Sequence, residues 1–336
     1  MTLDYDKVAA ITFGAAYVDV VDGYFCFHRF TREQELLYKE RSADFYKKTF
    51  ATSGVRLSFE TNSERLFLKG TVTPGSSRAY YAADLFVNGV YSGSVNNFEG
   101  ISLPKAYTTV KLSLDPFERS FDLGKGMKTV SLYLPWSVNM RIGEIALDDG
   151  ADVNPVKPQK TLLAFGDSIT HGYDALHPSN KYASKLAAFL NAQEYNKGIG
   201  AEVFWPELAK TRENFTPDCI SVAYGTNDWK KCQRYVFENN CSGFIENLRN
   251  TYPLSRIFVI SPIWRKDNDL ERPCGPFESI EGFMRSVVDG INNATLISGI
   301  DLVPHSEDFF SDLYLHPNDE GFSHYANGLK QVLNLE

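Results

Sequence analysis

Ser168 lies in the run Phe165-Gly166-Asp167-Ser168-Ile169-Thr170-His171-Gly172, where an apolar segment passes into a polar loop. A hydroxyl at the carboxyl end of a strand faces the edge at which open α/β sheets take their ligands. It becomes a nucleophile when a neighbouring base removes its proton. Two further strand-end loops, Asn196-Lys197-Gly198-Ile199-Gly200-Ala201 and Tyr224-Gly225-Thr226-Asn227-Asp228, can offer hydrogen-bond donors near that serine. Towards the C-terminus, Asp312-Leu313-Tyr314-Leu315-His316-Pro317-Asn318 supplies an imidazole with a nearby carboxylate. Imidazole, with an ordinary pKa of about 6.5, suits a base working near neutral pH. Together these types point to acyl transfer, with Ser168 attacking and His316 serving first as base and then as acid.

The chain has six histidines, and only His316 comes with such a block. Asp167 and His171, flanking Ser168, are read as substrate-binding residues. Trp229, directly after the asparagine loop, is read as shaping the acyl pocket, and Asp228 as bracing that loop. His171, His177, Asp167 and Asp174 match no helix-face or finger spacing, so neither a metal nor a cofactor is expected.

Two regions of different rhythm must position these residues. From Val8 to about Asp149 the chain alternates with period two, as in Val55 to Glu60, Arg65 to Gly70, Lys128 to Leu134 and Met140 to Leu147, which predicts strands. Val110 to Leu114 is read as another strand, and Thr31 to Lys48 as a short helical stretch. Asn88-Gly89 between Asp84-Leu85-Phe86-Val87 and Val90-Tyr91-Ser92 predicts a type I′ hairpin. Many short strands imply a β-sandwich or jelly roll over residues 1–152. The acid-, Gly- and Pro-bearing segment Asp148 to Pro158 reads as a linker. Beyond it, over residues 153–336, apolar runs at Thr161 to Phe165, Cys219 to Ala223, Ile257 to Ile260 and Thr295 to Ile297 alternate with helical stretches. A helix is expected where Tyr182, Leu186, Phe189 and Leu190 recur at helical spacing. This is the pattern of an α/β unit with a parallel sheet covered on both faces.

Residues 160 to 335 resemble the SGNH (GDSL-type) hydrolase family, whose Ser, Gly, Asn and His blocks occur here in order as Gly166-Asp167-Ser168, Asn196 to Ala201, Gly225-Thr226-Asn227-Asp228 and His316-Pro317-Asn318. The resemblance implies a flavodoxin-like three-layer α/β/α domain. It also implies an oxyanion hole built from the Ser168 N–H, a backbone N–H of Gly200 or Ala201, and the Asn227 amide. With the β-rich first half, the architecture looks like the two-domain carbohydrate esterases of that family. Two positions depart from the family pattern. Leu313 stands three residues before His316, where many members have the acid, so Asp312, four before, is the expected orienter, with a backbone carbonyl as the alternative. Ala201 follows Gly200 where a second glycine is usual.

Composition narrows the partners. Thirty-four Lys and Arg against 42 Asp and Glu give a net charge of -8, with no basic stripe that could track a phosphate backbone, so nucleic acid is not an expected partner. The acidic start Met1 to Lys7 lacks the signature of a secretory signal, and no run is long enough to span a membrane, so a cytoplasmic protein with reduced thiols is expected. An exposed β domain is compatible with a homo-oligomer. The expected activity is a serine esterase that removes short acyl groups, above all acetyl, from a small-molecule or oligosaccharide ester. The rivals are a lipid or thioester acylhydrolase and a non-catalytic sugar-binding protein.

Overall fold

In the computed structural model, which describes residues 1–335, the first half folds as two antiparallel sheets around a shared apolar core. One sheet runs Thr12–Phe13, Arg56–Thr61, Lys128–Tyr133, Ala82–Val87, Val90–Asn96, with Asn154–Pro155 added to Arg56–Thr61. The other runs Tyr17–Val21, Tyr24–His28, Val138–Leu147, Arg65–Pro74, Phe117–Asp122. Alternation explains the layering: Leu57, Phe59, Leu68, Val130 and Ile142 point between the sheets and are almost wholly buried. The expected hairpin forms, with Asn88 at φ 51° and Gly89 at φ 77°, the left-handed pair that a two-residue type I′ turn requires.

Val110 to Leu114 does not form a strand. Its apolar side chains do alternate, but Val110 and Leu112 pack on the core of the second half and Leu114 on the sandwich core, so the segment passes from one core to the other. The Ser113 carbonyl is bonded by the Asn97 amide instead of a ladder partner. The helical stretch after Thr31 is two helices, Arg32–Arg41 and Ala43–Thr49, broken at Ser42, whose side chain caps the second.

The second half carries five parallel strands in the order Ala192–Asn196, Lys160–Gly166, Cys219–Ala223, Arg256–Ile260, Ala294–Ile297. Counted along the chain this is 2-1-3-4-5, the flavodoxin-like order. The first strand shows why such a run is apolar throughout: Leu162 and Ala164 face one covering layer, Leu163 and Phe165 the other. The strand order reverses at Lys160–Gly166, so the loops leaving that strand and its two neighbours open a crevice at their carboxyl ends. The first half reaches into both layers. Phe30 and Tyr38 are buried with Ile199, Phe204 and Trp229, while Tyr80, Tyr107 and Trp136 are buried with Ile169 and Tyr173.

Candidate active site

Ser168 opens the four-residue helix Ser168–His171 at the end of the central strand and is 5% exposed. Asp167 caps that helix by accepting the Ile169 N–H at 2.9 Å. Burial raises the Asp167 carboxyl to about 6. The turn depends on close packing: a Cβ on Gly166 would fall 2.0 Å from Thr170 Oγ1, and one on Gly198 would fall 2.3 Å from the His171 nitrogen. The glycine loop therefore lies directly against the serine helix.

His316 reaches the serine from a loop 148 residues later, its Nε2 lying 2.8 Å from Ser168 Oγ. Its Nδ1 lies 2.7 Å from Asp312 Oδ2. The other oxygen of Asp312 accepts the N–H groups of Tyr314, Leu315 and His316 at 2.9, 2.7 and 3.1 Å, so one carboxylate both shapes the loop and meets the ring. Leu313 takes the left-handed conformation, φ 57°, and so accommodates the extra residue between acid and base. Burial opposes the Asp312 charge, but the His316 bond and the loop N–H groups outweigh it and hold the carboxyl down at about 2. Burial also opposes the imidazolium, yet the Asp312 bond and the charges of Asp174 and Asp312 raise His316 above its ordinary value.

Asn227 sits in the first turn of the helix Thr226–Lys231, after the neighbouring strand, and its Nδ2 donates to the Glu202 carbonyl at 3.0 Å. Asp228 ties this loop to the glycine loop, accepting the Gly225 and Phe204 N–H groups, both at 3.1 Å. Gly200 and Ala201 are the central residues of a turn closed by the Glu202 N–H on the Ile199 carbonyl. Ala201 has φ 73°, the conformation for which glycine is usual. From the first half, Arg29 donates to the Asn196 and Gly198 carbonyls at 2.9 and 2.8 Å, and Lys48 to Gly200 O at 3.0 Å.

The three expected substrate-binding side chains all lie away from any open surface. Trp229 is fully buried, its indole N–H given to the Gly275 carbonyl at 2.9 Å, with the Arg265 and Arg272 guanidinium groups 4.9 and 5.2 Å from its ring centre. His171 is fully buried and its Nε2 meets the Trp136 carbonyl at 2.9 Å. Asp167 is 2% exposed and directed at its own helix. The bonds that these three side chains make run to the protein's own backbone.

Asp174 has no place in the four blocks, yet its Oδ2 lies 3.5 Å from His316 Nδ1. No spacing in the sequence joins it to His316, because its position is set by residues of the first half. One ligand atom each from Asp174, Asp312 and His316 lie within 4.8 Å of one another. Nδ1 is already bonded to Asp312, and both Asp174 oxygens accept from Arg78, whose fixed positive charge opposes a cation there. The set is built for hydrogen bonding to an imidazole.

Residues 164–323 match the GDSL-like Lipase/Acylhydrolase family. This part of the chain is a GDSL-like acylhydrolase domain. No curated protein sequence matches the chain. Among solved structures, the whole fold is similar to a salicylyl-acyltransferase from a tetracycline biosynthetic pathway, at 22% identity and TM-score 0.78, covering 96% of this chain and 93% of that one. It is also similar to a putative GDSL-like lipase from Bacteroides ovatus, at 16% identity and TM-score 0.76, covering 100% and 98%. A family two carbohydrate esterase from Clostridium thermocellum, solved in complex with cellohexaose, aligns at 15% identity and TM-score 0.64, covering 84% and 94%. The GDSL-like domain with a β-rich region before it is thus a shared architecture. Among the described residues, no helix is long and apolar enough to cross a membrane.

Proposed function

We propose that the chain is a serine esterase that removes short acyl groups, acetyl foremost, from a carbohydrate. The observation that carries this reading is the 2.8 Å approach of His316 Nε2 to Ser168 Oγ, with Asp312 on the opposite ring nitrogen. In the reaction, Ser168 Oγ bonds to the ester carbonyl carbon as its proton passes to His316 Nε2. Asp312 keeps the ring in the tautomer that can accept that proton and balances the imidazolium. The oxyanion takes hydrogen bonds from the Ser168 N–H, the N–H of the Gly200–Ala201 turn and the Asn227 amide, whose orientation is held by its bond to Glu202 O. Collapse breaks the bond to the sugar oxygen, which leaves with the proton from His316. Water then attacks the acyl-Ser168 ester by the same steps and releases the acid.

A carbohydrate substrate is supported by the likeness in architecture to carbohydrate esterases, one of them in complex with cellohexaose. The test is acetate release from acetylated mono- and oligosaccharides, alongside hydrolysis of nitrophenyl acetate and octanoate. Acetate release with faster acetate-ester turnover is expected; faster octanoate turnover without action on sugar acetates overturns the substrate assignment in favour of a lipid acylhydrolase.

A further inference from the structure

Asp174 is held in a way that its place in the second half does not explain. Its side chain is wholly buried and its backbone takes φ 99°, a conformation costly for any residue with a Cβ. Four residues of the first half converge on it and on the residue after it. Arg78 Nε reaches Oδ1 at 2.5 Å and Arg78 Nη2 reaches Oδ2 at 2.8 Å, a bidentate pair. The Tyr80 hydroxyl donates to Oδ1. The Tyr107 hydroxyl donates to the Asp174 carbonyl at 2.5 Å, and the Trp136 indole to the Ala175 carbonyl at 2.7 Å. So fixed, the carboxylate lies 3.5 Å from His316 Nδ1, beside the shorter contact from Asp312.

We infer that Asp174 is a second carboxylate acting on His316, and that Arg78 and Tyr80 of the first half are positioning residues that hold it there. The inference rests on the serine esterase reading, since it concerns how the imidazolium formed during that reaction is balanced. Asp312 bonds the ring, and Asp174 adds negative charge behind it that shares the load. Arg78, bonded to both Asp174 oxygens, offsets the repulsion between the two carboxylates, and its own charge acts against the imidazolium less strongly than Asp174 acts for it. The other groups facing the ring are Asp167, whose charge acts on His316 from the serine helix, and Tyr173, whose ring lies 5.7 Å away and carries the Arg78 guanidinium 5.3 Å from its own centre. The β-rich half is thereby part of the catalytic apparatus.

The test measures kcat and the pH dependence of kcat/KM on nitrophenyl acetate for the full chain, Asp174→Asn, Asp312→Asn, the double variant, Tyr80→Phe and Ser168→Ala. Removing a negative charge near the ring lowers the imidazolium pKa, so Asp174→Asn moves the acid limb to lower pH. Tyr80→Phe deletes one donor to the carboxylate and exposes more of its charge to the ring, so the limb moves the other way. With one carboxylate left, each single Asn variant loses roughly 10-fold in kcat, so independent effects would multiply to about 10². The double variant loses about 10⁴-fold, the cost of an unbalanced imidazole, which exceeds the product of the smaller single losses. A folded Asp174→Asn enzyme with an unmoved acid limb overturns the inference, as does a double loss equal to the product of the singles. If Asp174→Asn does not fold, an unmoved limb in Tyr80→Phe overturns it alone. Activity in Ser168→Ala equal to that of the parent would instead reject the esterase reading beneath it.

Discussion

The imidazole of His316 connects the serine to the carboxylates, and its ionisation should be visible in the kinetics. Only the neutral ring can take the Ser168 proton, and its partners raise its pKa above the ordinary value. The acid limb of kcat/KM should therefore have its midpoint above about 6.5; a midpoint below that value would contradict the arrangement. Replacing Ser168 with Ala should lower kcat by a factor on the order of 10⁶. Replacing Asn227 with Ala should cost about 10² to 10³, the loss of one oxyanion donor, measured as kcat on nitrophenyl acetate in a folded variant. Ala201 offers a finer test. Its backbone sits at φ 73°, so Ala201→Gly relieves strain while keeping the main-chain N–H. It should retain kcat and raise unfolding free energy by up to about 1 kcal/mol in a denaturant titration. A large fall in kcat would mean that the methyl group, and not the main chain, matters there.

Among the elements, what could be read in advance depended on whether the signal was local. The parallel strands showed themselves as apolar runs because both faces of that sheet are covered, and the Asn88-Gly89 hairpin because its φ angles restrict the residues that fit. The strand Ala192–Asn196 was not legible: Gln193, Glu194 and Asn196 are polar, yet buried, and they bond to Gly54, Lys181, Ser184 and Thr170. Val110 to Leu114 had the alternation of a strand but no neighbour to pair with. The approach of His316 to Ser168 was legible through their motifs. Asp174 was not, because its carboxylate is delivered to His316 by Arg78, nearly one hundred positions earlier. Trp229 followed a motif in sequence but faces the core, because the short helix carrying it turns that side inward. The two helices after Thr31 have a role of their own: Lys48 holds Gly200 O and Arg41 pairs with the buried Glu202, so they fix the glycine loop.

The whole molecule shares its cores between the two halves, and this has a consequence for truncation. A chain of residues 153–336 alone would lose Phe30 and Tyr38 from one covering layer and Tyr80, Tyr107 and Trp136 from the other, each worth roughly 1.5–3 kcal/mol of apolar burial. It would also strand Asp174 without Arg78. Such a fragment should be poorly folded and inactive by circular dichroism and esterase assay; a stable fragment with parental kinetics would show that the first half is dispensable.

Stability and activity should also respond to pH in opposite directions. Burial raises Glu202 and Asp228 to about 7 and Asp167 to about 6, so the folded chain holds protons that the unfolded chain has released. Between about pH 4.5 and 7 their contribution falls as pH rises, and His316, also raised, adds to the trend as pH passes its folded pKa. His171, buried and lowered, opposes it below about 6.5, while His177 and Asp319, both raised, act with the others. Thermal unfolding should occur at a higher temperature at pH 5.5 than at pH 8, while kcat/KM is higher at pH 8. A Tm that rises from pH 5.5 to 8 would contradict the burial of these carboxyls.

The most direct measurement is covalent labelling. A serine-reactive fluorophosphonate, followed by intact mass and peptide mapping, should place a single adduct on Ser168, abolished in Ser168→Ala and slowed about 10²- to 10⁴-fold in His316→Ala. Labelling of another residue, or an unchanged rate without the imidazole, would show that His316 does not activate Ser168.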